Sequence, residues 1–147
     1  MAGWNKALPL APPRYRGPER TRPYRYNPLR APDPQEWLAF DEEERIHFVR
    51  EYHRRIGFDV PGIESHIALH VWVENQIALG DEAPAVGRAA KRLMAQGLSR
   101  HDMIHAIANI LMQQIYDVRT RRVPDDVNAS YAAELDRLTA ESWRAME

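Results

Sequence analysis

The sequence predicts an all-α protein, a compact bundle of four or five helices with an extended Pro/Arg-rich N-terminal arm. Three observations carry this expectation. Apolar residues beyond Asp33 recur at helical spacing. Capping residues and glycines cut that pattern into segments of helical length. No stretch alternates apolar and polar residues as a half-buried strand would.

Residues 1–32 hold Pro9, Pro12, Pro13, Pro18, Pro23, Pro28 and Pro32. Each removes a backbone donor and disfavours helix in the residue before it, so an extended or disordered arm is expected. The helical domain then spans 33–147. Asp33-Pro34-Gln35-Glu36 supplies a capping carboxylate, a proline at the first helical position and an acid in the first turn, opening a short helix with Trp37, Leu38 and Phe40. Asp41 and Glu44 form a second capping pattern, for a helix to about Arg55 whose apolar face carries Ile46, Val49 and Ile56, with His53 on that face and His47 toward solvent.

Pro61 and Gly62 interrupt the pattern, and Ile63 to Leu79 reads as a strongly apolar helix leaving at Gly80. Pro84 opens the next helix, with Val86, Ala89, Ala90, Leu93 and Met94 on one face and Gly97 at its exit. Ser99 with Asp102 marks the start of a helix through Ile104, Ile107, Leu111 and Ile115 to about Arg119. Pro124, Asp125 and Asp126 open a last helix carrying Tyr131, Leu135, Leu138 and Trp143.

With 147 residues, 44% of them hydrophobic, the chain suits one domain with a modest core. Cysteine is absent, which excludes disulfides, thiolate metal sites, iron–sulfur clusters and cysteine nucleophiles. No apolar run approaches the roughly 20 residues of a membrane span, and the first residues lack a signal-peptide core, so a soluble cytoplasmic protein is expected. The formal net charge of -1 hides an asymmetry. Seven Lys and Arg against Glu19 give residues 1–30 a charge of +6, which leaves -7 for residues 31–147.

The strongest functional signal is histidine spacing. His66, His70 and Glu74 follow one another at i, i+4 and i+8, each turned only about 40° from the last on an α-helix, and His101 and His105 repeat the four-residue spacing on a second helix. Two paired-imidazole faces meeting across a helix interface point to a metal site built from His66, His70, Glu74, His101 and His105. His66 and Glu74 are about 12 Å apart along the axis, so one ion does not reach both. A mononuclear site combines His70 with Glu74 or His66 and with His101 or His105; a binuclear site places one ion at each level. Nitrogen-rich ligand sets suit a divalent transition metal, zinc first, with iron or copper open. Asn75 and Gln76 are candidates to orient ligands or water, and Asp102 reads as a helix cap. An ion with an open position activates water, so hydrolysis is the sharpest enzymatic expectation, with Glu74 as ligand or base.

The segments EWLAFDEEERI (Glu36 to Ile46), EYHRR (Glu51 to Arg55), HIALHVWVENQIALGDE (His66 to Glu82) and LMAQGLSRHDMIHAI (Leu93 to Ile107) resemble a family of small, functionally uncharacterised bacterial helical proteins with paired HxxxH segments. The resemblance covers roughly residues 35–118. It implies a stable helical domain of unknown activity, and marks His53, His66, His70, Glu74, His101 and His105 as positions to test.

In the arm, Arg14, Tyr15, Arg16 and then Arg22, Tyr24, Arg25, Tyr26 interleave guanidinium groups with aromatic rings. Such a segment can bind a protein partner in an extended conformation, contact nucleic acid through arginine and tyrosine, or fold back on its own acidic body. A non-catalytic accessory protein working through residues 1–30 is therefore the alternative to a metal-dependent hydrolase.

Overall fold

The computed structural model describes residues 24–120 and 123–146; the arm preceding Tyr24, with its first Arg/Tyr run, lies outside them. The described residues contain helices and no strand: α1 (Pro34–Ala39), α2 (Glu42–Arg55), α3 (Ile63–Ala78), α4 (Pro84–Ala95), α5 (Arg100–Arg119), α6 (Val127–Arg137) and α7 (Ala140–Arg144), with a 3-10 turn at Gly80–Glu82. Five helices of 11 residues or more make the bundle, flanked by two short ones.

The starts follow the capping chemistry. Asp33, Asp41, Ser99 and Asp126 each accept a hydrogen bond from the backbone N–H three residues on, and Glu44 completes a capping box with Asp41. Three exits use glycine in the left-handed region, at Gly57, Gly80 and Gly97. At Gly57 and Gly97 the paired bonds of a Schellman motif form, Phe58 N to His53 O with Gly57 N to Arg54 O, and Leu98 N to Leu93 O with Gly97 N to Met94 O. The first of these fixes His53 in the last turn of α2.

The C-terminal helix departs from the expectation. It ends at Leu138, whose ψ of 129° is extended, and Thr139 opens α7 with its own capping box to Ser142. Trp143 therefore sits on a separate short helix, where it is buried against the main core.

Helix α3 is the central wall, packed by α1, α2, α4 and α5, which explains why its sequence is apolar nearly all round. On one side Val73 joins Val86, Ala89, Leu93, Ile104, Ile107, Leu111, Leu135 and Trp143 in the larger core. On the other, Ile67 and Val71 join Tyr26, Trp37 and Val49 in a smaller one. Ala89, fully buried, lets neighbouring backbones approach closely. Asn75 and Gln76, expected near the site, tie elements together instead: Asn75 accepts from Trp37 Nε1 and from Arg45, and Gln76 accepts from the Tyr131 hydroxyl.

The part of the arm that is described, from Tyr24 to Pro32, carries no helix and is packed on this body. Tyr26 is 1% exposed, its carbonyl accepts from Arg55, and the carbonyl of Pro28 accepts from Arg100. The tyrosine that the sequence offered for stacking on a partner is thus turned inward.

Candidate metal centre

Five histidines from three helices meet where the two cores adjoin. Helix α3 brings His66 and His70, the first turns of α5 bring His101 and His105, and the last turn of α2 brings His53. One ring nitrogen from each of His53, His70, His101 and His105 lies within 4.8 Å of the other three. The tightest pair of rings is His101 and His105, with centroids 4.2 Å apart.

Hydrogen bonds fix the tautomers of His70 and His53. The Tyr26 hydroxyl donates to Glu74 Oε1 at 2.6 Å, so its oxygen takes the proton of His70 Nε2 at 2.7 Å. That leaves His70 Nδ1 with a bare lone pair. His53 Nδ1 donates to the Val49 carbonyl at 2.8 Å, which leaves Nε2 as its acceptor. Nδ1 of His70 and Nε2 of both His101 and His105 are buried and have no hydrogen-bond partner. Orphaned polar atoms of this kind are costly in a folded interior, and these three belong to rings of the four-histidine group that could hold an ion.

The electrostatics agree. Burial, reinforced by the neighbouring imidazoles, lowers the His70 pKa well below its usual value and those of His66, His101 and His105 to about 4; burial also lowers that of His53. The rings are therefore neutral at neutral pH, the state in which imidazole binds an ion. Four nitrogens around one zinc at about 2.0–2.1 Å stand about 3.3 Å apart, so modest ring movements inside a 4.8 Å cluster suffice.

Two residues that the sequence placed among the ligands have other positions. Both Glu74 oxygens are held by Arg100, at 2.7 and 2.9 Å, and Oε1 also receives Tyr26. Glu74 is 1% exposed, and a buried carboxylate needs that compensation. It stands behind His70, joined to it through the tyrosine. His66 lies beside the group of four, with Nε2 3.1 Å from His53 Nε2 and its ring 4.9 Å from His105.

Sequence reasoning marked His53 only as a position to test, outside its candidate ligands, placed Tyr26 in the arm rather than at the site, and missed Arg100. A signal for His53 was present, since it shares the apolar face of Val49. Arg100 also carried one. A cation in the first turn of a helix opposes the helix dipole, so its presence there implies a nearby acid. Asp102 is a first-turn acid whose N–H bonds the Ser99 cap, as expected.

A groove of about 430 Å³ opens beside the cluster, lined at its inner end by His66, His70 and His105. No helix among the described residues is long and apolar enough to cross a membrane. Comparison with protein families, curated proteins and solved structures gives no match, so the functional reading rests on the site itself.

Proposed function

We propose that this is a transition-metal protein that holds one divalent ion on His53, His70, His101 and His105. The observation that carries the reading is the set of three buried, unpartnered imidazole nitrogens with His53 completing a fourfold group. Zinc is the first candidate, and iron or copper accept the same donors. Tyr26 and Glu74 serve the site from behind by holding His70 in the tautomer that presents Nδ1.

Hydrolysis through an activated water is the reaction we favour at such an ion; the water would need a fifth position beside the four imidazoles. Glu74 is not its base, because both oxygens are spent on Arg100. His66, neutral and on the groove side, is the group able to accept a proton there.

The interaction reading keeps one observation of its own. Arg25 and Arg30 are exposed beside Arg55 along a second groove of about 680 Å³, where an acidic protein segment or nucleic acid could dock.

Elemental analysis of untagged protein purified without chelator decides the metal reading. A stoichiometric transition metal is expected. A folded, metal-free protein that also refuses added zinc, iron and copper overturns it.

A further inference from the structure

We infer that the groove beside the histidines binds a small monocarboxylate with an apolar body, its carboxylate completing the coordination of the ion. The inference rests on the metal reading above and adds a ligand to it.

The charge balance of the site selects the headgroup. Imidazole ligands bring no charge to an ion; of the two acids whose charge bears on the site, Glu74 is paired with Arg100, and Asp102, whose charge reaches His101 and His105, supplies one negative charge. A divalent ion there is left with a net positive charge, and a ligand that brings one negative charge is complementary to it. The groove is lined by His70 and His105, two of the four proposed ligands, so a headgroup at that end lies next to the site.

The walls select the rest of the molecule. Beyond the histidines the groove runs past Leu69, Ala108, Met112, Trp143 and Met146, with Ser65 and Asn109 as its polar members, and among the described residues no Lys, Arg, Asp or Glu lines it. A nucleotide or other polyanion would find no cation for its remaining charges. An aliphatic or aromatic tail finds apolar walls, two of them methionines that adapt to different shapes. At about 430 Å³ the groove falls within the range of small-molecule sites, about 300–1,000 Å³.

The test uses the full chain loaded with cobalt(II), whose visible bands report its coordination, titrated with acetate and with hexanoate. Hexanoate is expected to perturb the bands at a concentration about tenfold lower than acetate, because its chain is withdrawn from water. In the double variant M112Q/M146Q, which replaces two solvent-exposed methionines, cobalt uptake should persist while that advantage falls below about threefold. Bands indifferent to both acids would show a closed coordination sphere and overturn this inference while leaving the metal reading intact. Equal responses to acetate and hexanoate would overturn the groove as the binding site. Failure to take up cobalt would remove the metal reading, and this inference with it.

Discussion

The phenol oxygen of Tyr26 stands 2.7 Å from Nε2 of His70, across 44 residues of sequence, and binds the arm to the centre of the histidine cluster. Its proton goes to Glu74, and burial together with that carboxylate's charge raises the phenol pKa well above its usual value. The tyrosine therefore remains a neutral relay, and His70 is held with Nδ1 bare. Tyr26→Phe is expected to lower metal affinity about tenfold, the cost of losing the partner that orients a ligand imidazole. Competition against a chromophoric zinc chelator measures this. Equal affinity in the variant would show that His70 orients without the phenol.

His53 and His66 should respond in opposite directions. The Nε2 lone pair of His53 accepts from His66, and an ion at His53 must take that lone pair away. His53→Ala removes a ligand and should weaken binding by two orders of magnitude or more, whereas His66→Ala removes a competitor and should leave affinity unchanged or tighter. Isothermal titration with zinc separates the two. A loss at His66 as large as that at His53 would return His66 to the ligand set. The double variant H70A/H105A should carry no stoichiometric metal at all.

Glu74 is expected to matter for stability before it matters for metal. Glu74→Gln leaves the Arg100 guanidinium, 9% exposed, without its counter-charge, at a cost of about 3–5 kcal/mol in denaturant unfolding. Replacing both residues by methionine should recover much of that loss, because an apolar pair of similar volume leaves no charge stranded. If Glu74→Gln alone is neutral, the ion pair is not what holds this region.

The metal-free protein should be acid-sensitive in a defined window. In the unfolded chain each clustered imidazole binds a proton near its ordinary pKa of 6.5, but in the fold burial holds His66, His101 and His105 at about 4. Between pH 6.5 and 4 the unfolded chain binds more protons, so stability is full above 6.5 and falls as pH drops toward 4. Thermal melting across this range checks it; a Tm that stays level would mean that the rings are not buried as neutral bases.

Most of the helix framework was legible from local chemistry. Asp41 with Glu44, Gly97 and Ser99 specify ends that the backbone then adopts, because caps depend only on a few neighbouring residues. The break at Thr139 was missed because the apolar spacing of Leu135, Leu138 and Trp143 continues across it, although Thr139 and Ser142 carry a capping pattern. The site was half legible. Spacing places His66 and His70, or His101 and His105, on one helix face, but it does not say that α2 delivers His53 to them. Nor does it say that Arg100 and Tyr26 engage Glu74, since those partners lie 26 and 48 residues away.

The cluster is made of nitrogen alone, in a chain without cysteine. Thiolate sites release their ions when peroxide or disulfide exchange consumes the sulfur, and so register the oxidant level of their surroundings. Imidazole has no sulfur for thiol–disulfide exchange to consume. Oxidative damage near this centre would begin at the thioethers of Met112 and Met146 on the groove walls, altering what enters the groove before disturbing the ligands themselves.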